Sequence, residues 1–134
     1  MFKALVLQQD SKQTTAQIEQ LAESSLPDQQ VDIAVEYSSL NYKDGLAITG
    51  KGKVVRSFPM VPGIDLAGTV TDSKDKRFNS GDKVILTGHG VGENHWGGMA
   101  EKARANPDWL VPLVDGLDTK QAMQIGTAGL TAML

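Results

Sequence analysis

The most regular pattern in the chain has a period of two. Val31, Ile33, Val35 and Tyr37 alternate with Asp32, Ala34 and Glu36. Successive side chains of a strand point to opposite faces, so this stretch predicts a β-strand with one buried face. Residues 2–7 are a short apolar run around Lys3 and predict a second strand, with residues 14–21 as its antiparallel partner. Leu26-Pro27-Asp28 reads as the turn that precedes the alternating stretch. Residues 66–71 and 84–87 predict further strands, and residues 99–105 and 109–114 close the β-rich part. Pro107 and Pro112 place the last of these at a sheet edge or in an irregular strand, because proline has no N–H for a ladder.

Helical patterning is confined to two places. Residues 42–48 fit a short helix after the alternating strand. Asp118 can cap a second helix, with Gln121 three residues on as in a capping box and Ala122, Met123 and Ile125 as its apolar positions. Gly126-Thr127-Ala128-Gly129 interrupts that pattern before a final apolar stretch, residues 130–134. Many short strands followed by helix predict a fold that is mainly β with short helices, arranged as a barrel.

The 134 residues suit one domain, and 40% hydrophobic with 22% charged residues is ordinary for a globular chain. A net charge of -3, with no basic stripe interleaved with aromatics, argues against nucleic acid as a partner. There is no cysteine, which removes disulfides, thiolate catalysis and Cys-based zinc sites and fits a reducing compartment. No apolar run reaches membrane-spanning length, and the start lacks the features of a signal peptide, so a cytoplasmic location is the expectation.

Several segments carry candidate chemistry. Asn41-Tyr42-Lys43-Asp44 is a polar cluster at a strand end. It serves either as a capped turn or as one wall of a cleft, where Tyr42 donates a hydrogen bond or proton, Asn41 orients a carbonyl and Asp44 fixes the backbone. Asp65, within Pro62-Gly63-Ile64-Asp65-Leu66-Ala67-Gly68, reads as a structural carboxylate satisfied by backbone donors or an arginine. Residues 88–98 are glycine-rich, but their spacing fits neither the dinucleotide nor the P-loop form. His89, Glu93 and His95 make a poor metal motif, and Trp96 is either core packing or an apolar wall of a substrate cleft. Lys51, Lys53 and Arg56 are either a solvated face or donors to substrate phosphates.

In this order, together with Gly81-Asp82-Lys83-Val84 and Gly97-Gly98-Met99-Ala100-Glu101, these segments resemble the catalytic domain of the medium-chain dehydrogenase/reductase superfamily, zinc-free quinone-oxidoreductase type. The wording of residues 39–50 and 92–98 is most similar to the bacterial acrylyl-CoA reductase branch. The resemblance implies a GroES-like barrel over residues 1–117 and a helical connection over residues 118–134, cut off before a Rossmann domain. It implies an NADPH-dependent, zinc-free reductase that acts in a homodimer on an activated C=C bond, with acrylyl-CoA going to propionyl-CoA. The isolated piece is expected to be inactive and to hold NADPH poorly. Implied catalytic residues are Tyr42 and Asn41. Tyr42, Asp44, Thr127 and Thr131 are implied at the cofactor, and Lys51, Lys53, Arg56 and Trp96 at the substrate, a CoA thioester. In zinc-dependent relatives a cysteine ligand falls at Asn41 and a histidine ligand at Ile64, and neither residue here holds zinc in the usual way. A quinone or other carbonyl or enone reductase, and a non-catalytic GroES-like binding barrel, stand as alternatives.

Overall fold

The computed structural model describes residues 1–134. The first two strands form a hairpin: β1 (Phe2–Asp10) pairs antiparallel with β2 (Gln13–Leu21), from Phe2↔Leu21 to Asp10↔Gln13. The two-residue turn is Ser11-Lys12, with φ of 49° and 68°, so the hairpin closes in the left-handed region without glycine. β1 serves two apolar clusters. Phe2, Ala4 and Val6 pack with Leu26 and Val61, while Leu7 packs with Ala47, Val54 and Met60.

Five further strands form one antiparallel sheet in the order β6-β3-β4-β5-β7. They are β3 (Val31–Ser38), β4 (Asp65–Ser73), β5 (Lys83–Thr87), β6 (Lys102–Ala105) and β7 (Leu110–Pro112). Val31, Ile33, Leu66, Val70, Val84 and Leu86 bury one face of it. The sequence stretch 99–105 divides: its first part bonds to β1, through Leu5 N to the Met99 carbonyl and Glu101 N to the Lys3 carbonyl (both 2.9 Å), and its second part is β6. One segment therefore joins hairpin to sheet. β7 is shorter than the pattern suggests: Trp109 belongs to a single 3-10 turn (Pro107–Trp109), with the Asn106 side chain accepting from Asp108 N, and the strand pairing ends at Pro112 opposite Val84. Pro112 lies in this edge strand, where its missing N–H costs no ladder bond.

The alternation of β3 stops before its end. Val31 and Ile33 are buried, but Tyr37 is 44% exposed. Val35 opposes Gly68 while Tyr37 opposes Ala67, so Glu36 is an extra residue and the strand bulges there. Gly68 meets β3 so closely that a Cβ would lie 2.2 Å from the Ala34 carbonyl oxygen. The bulged Glu36 accepts from Lys83 Nζ and Thr69 Oγ1, and also from Thr119 Oγ1 at 2.9 Å. The bond from the Lys83 ammonium, followed by the Thr69 hydroxyl, holds its carboxyl below the usual range. Thr119 begins α2 (Thr119–Met133), which packs Ala122 and Met123 on Ala67 at the sheet's other face. Glu36→Gln should thus cost about 1 kcal/mol at neutral pH. A depressed folded-state value means that this contribution is present above the unfolded pKa and disappears as pH falls through the folded one. Urea unfolding at neutral and acidic pH should show the variant's deficit shrinking on acidification.

Candidate functional site

Beyond β3 the chain runs through Ser39 and Leu40 to Asn41, the N-cap of α1 (Tyr42–Thr49). Asp44, 1% exposed, fixes this helix start. Its Oδ2 accepts from Asn41 N at 3.0 Å, the carboxylate half of a capping box, and from Asn41 Nδ2 at 3.2 Å. Its Oδ1 accepts from Ile64 N at 3.0 Å, which ties α1 to the segment leading into β4. A carboxylate in the first turn also suits the positive end of the helix dipole.

The next residue on that segment is Asp65, fully buried. Its Oδ2 accepts from Ser39 Oγ at 2.7 Å, Thr127 N at 2.8 Å and Asn41 Nδ2 at 3.4 Å, and its Oδ1 accepts from Thr127 Oγ1 at 2.6 Å. These donors are hydroxyls and amides, not the arginine that was one of the two expectations. The geometry explains the glycine in the middle of α2. Gly126 is non-helical, with φ 49° and ψ -164°, and a Cβ there would sit 2.9 Å from Asp65 Oδ2. The helix breaks at Gly126, and Asp65 caps its second half from a different strand.

Asn41, Asp44 and Thr127 therefore converge, but their polar atoms are used internally. Thr131 Oγ1 donates to the Thr127 carbonyl one turn earlier, at 2.8 Å. Tyr42 differs: it is 84% exposed, and its hydroxyl has no protein partner. A cleft of about 340 Å³ lies between Ser38, Ser39 and Leu40 on one side and Gln124 and Ala128 of α2 on the other. Lys51, Lys53 and Arg56 follow α1 and line a second groove of about 720 Å³. Trp96 does not line either space: its Nε1 donates to the Pro59 carbonyl at 3.0 Å, and its ring packs between the two clusters that β1 serves.

The glycine-rich loop scatters its three metal-type residues. Glu93 pairs with Lys43 at 2.8 Å, tying the loop to α1. His89 stacks on Trp109 at 6.1 Å, and His95 meets the same ring edge-on at 5.0 Å. His95 Nε2 lies 2.7 Å from the Arg104 carbonyl oxygen, so the neutral ring donates from that nitrogen. Burial pushes the His95 imidazole below its ordinary value, against a smaller opposite effect of the Arg104 carbonyl. The unfolded state then binds more protons, and stability falls as pH drops below the unfolded histidine value of about 6.5. His95→Gln should flatten that acid limb of the melting-temperature profile between about pH 7 and pH 5.

The alcohol dehydrogenase GroES-like domain model matches residues 27–115. The chain belongs to this family. The probable acrylyl-CoA reductase AcuI of Escherichia coli K12 is 61% identical over 133 residues, which cover 99% of this chain and 41% of that protein. The acrylyl-CoA reductase AcuI of Ruegeria pomeroyi is 58% identical over 136 residues, 100% of this chain and 41% of that protein. The crystal structure of the YhdH oxidoreductase from Salmonella enterica in complex with NADP superposes with a TM-score of 0.95 at 60% identity, over 98% of this chain and 40% of that one. The chain thus spans about two fifths of the length of the curated relatives it matches.

The two residues expected at the zinc-ligand positions of zinc-dependent relatives are both engaged in the protein's own hydrogen bonds. Asn41 gives its amide to Ser39, Asp44 and Asp65, and Ile64 offers only its backbone N–H to Asp44. Sequence reasoning missed Ser39 and Lys12. Ser39 carries a signal in retrospect, since a hydroxyl two residues before an N-cap asparagine is well placed to bond it (Asn41 Nδ2 to Ser39 Oγ, 3.0 Å). Lys12 carried none, because only the hairpin brings it beside the loop that follows α1.

Proposed function

We propose that this chain is the N-terminal catalytic domain of an NADPH-dependent oxidoreductase that reduces the activated C=C bond of acrylyl-CoA to give propionyl-CoA. The likeness to two acrylyl-CoA reductases and to an NADP complex supports the reading. The observation that carries it is the segment from Ser39 to Asp44. Every polar side chain there is tied down except Tyr42, whose hydroxyl is free at the head of α1.

When bound, NADPH would supply the hydride for the β-carbon. Two features suit its reacting end: the cleft between Ser39 and Ala128 is open, and the Tyr42 and Thr131 hydroxyls, which do not line it, keep donor or acceptor capacity at the head of α1 and in the second half of α2. Asp44 and Thr127 act behind them as positioning residues. Reduction of an enoyl thioester develops negative charge on the thioester oxygen. A pre-placed donor stabilises that charge more than it stabilises the ground state. Tyr42 is the candidate donor, because the Asn41 amide is already committed. The α-carbon then takes a proton from a nearby acid or from water. The reading carries with it the cytoplasmic location and the homodimer that the family resemblance implies. No helix here is long and apolar enough to cross a membrane.

NADPH oxidation by the reductase carrying this domain, followed with acrylyl-CoA and with a quinone, tests the reading. A higher kcat/KM for acrylyl-CoA is the expected result. Turnover of the quinone alone would replace it with the quinone-reductase alternative, and turnover of neither would leave the binding barrel.

A further inference from the structure

We infer that the groove at the C-terminal end of α1 is an anion site that holds the phosphates of a CoA thioester. The inference rests on the thioester-reductase reading above and adds where, and by what, the substrate's handle is read.

The groove is built from two segments far apart in sequence. Lys12 and Thr14 come from the β1–β2 hairpin, and Lys51, Lys53 and Arg56 come from the loop after α1. Gly50 lets them meet: its φ is 72°, and a Cβ would lie 2.6 Å from Thr14 Oγ1, so any side chain there would push the hairpin away. Four cations line the groove and no carboxylate does, in a chain of net charge -3. Lys43, Arg77, Lys83, Lys102 and Arg104 each hold an acidic partner, while the four groove cations hold none, as do Lys3, Lys74, Lys76 and Lys120 outside the groove. The nearby glutamate, Glu93, is taken by Lys43 and presents its backbone carbonyl to Arg56 N. Unpaired cations gathered in one concavity raise the local potential, although the carbonyl end of α1 works against an anion there. The four charges outweigh that half-charge.

Shape and distance narrow the ligand. Ala47, Val55 and Phe58 give the groove an apolar side, suited to an adenine face or to the methyl groups of a pantetheine arm. Inorganic phosphate would use only the cations. α1 has eight residues, so its length from Tyr42 to the groove is about 12 Å. An extended pantetheine arm measures roughly 16 Å from sulfur to phosphorus by its bond lengths. A thioester seated by its phosphates in the groove can therefore bring its acyl group back to the Tyr42 end of the same helix.

The test compares acrylyl-CoA with the acrylyl thioester of N-acetylcysteamine, which has no phosphate, in the reductase carrying this domain. The variant is Lys51→Ala/Lys53→Ala/Arg56→Ala. All three side chains are exposed, and Lys3→Ala/Lys74→Ala/Lys76→Ala, also exposed, is a charge-matched control outside the groove. The variant should raise KM for acrylyl-CoA by about tenfold or more, with the effect shrinking at high salt, and leave the phosphate-free thioester unchanged. Lys12→Ala should act in the same direction. Equal effects on both thioesters, or none, overturn the site. A raised KM for NADPH with an unchanged KM for acrylyl-CoA overturns it too, because the groove then serves the cofactor's phosphates. If the parent reduces neither thioester, the reductase reading fails, and calorimetry with CoA against pantetheine still decides the groove. Loss of CoA affinity in the triple variant supports it, and CoA binding no tighter than pantetheine ends it.

Discussion

Asp65→Asn is expected to lower the thermal unfolding midpoint by on the order of 10 °C and to release the second half of α2. The carboxylate is fully buried and accepts from Ser39 Oγ, Thr127 N and Thr127 Oγ1 at 2.6–2.8 Å. An amide of the same shape keeps one oxygen but turns an N–H toward groups that also donate. At least one buried donor then loses its acceptor, at about 1–3 kcal/mol, and the bonds that remain lose their charge assistance. A total near 3 kcal/mol is a large share of the 5–15 kcal/mol that usually holds a domain together. Calorimetry measures the global loss. Hydrogen exchange at the amides of Thr127 to Leu130 separates the local one, since those N–H groups begin the helical turn that Asp65 caps. An unchanged midpoint with unchanged exchange would show that the network is decorative.

How much of this was legible beforehand depended on whether a residue's role was local. The hairpin partner, the edge placement of Pro112, the Asp118–Gln121 capping box and the burial of Val31 and Ile33 follow from spacing and local chemistry, and the structure has them. The period-two reading ran past its limit at Tyr37, because a bulge depends on what the neighbouring strand can accommodate, here Gly68. Asp65 was legible as a structural carboxylate but not in its partners. Thr127 lies 62 positions away, and nothing local says that a broken helix needs capping from β4. The polar cluster at Asn41 was visible as a cluster. Which member stays free could not be read from it, because a side chain's availability is what remains after its neighbours are satisfied. Trp96 shows the same limit: a tryptophan in a glycine-rich loop reads equally as cleft wall or core, and the Pro59 carbonyl decides for packing.

Tyr42→Phe, made in the proposed full-length reductase, is expected to lower kcat and kcat/KM together by about 10²–10³, with KM for the thioester changing little. The side chain is 84% exposed and packs no core, so the ring's loss of one oxygen should leave the fold and its melting temperature as they were. That separates this substitution from changes at Asn41 or Asp44. Asn41 Nδ2 donates to Ser39 and Asp44, and Asp44 holds both Asn41 N and Ile64 N, so altering either residue disturbs the head of α1 as well as any chemistry there. A donor that matters only when charge builds on the thioester oxygen depresses turnover without weakening ground-state binding. A donor that merely holds the substrate raises KM and leaves kcat alone. Steady-state kinetics with acrylyl-CoA, alongside a melting curve of the same preparation, distinguish the two. If turnover and efficiency both stay at the parental level, the Tyr42 hydroxyl has no part in the chemistry, and the charge must be met by bound water or by the Asn41 amide after its bond to Ser39 opens.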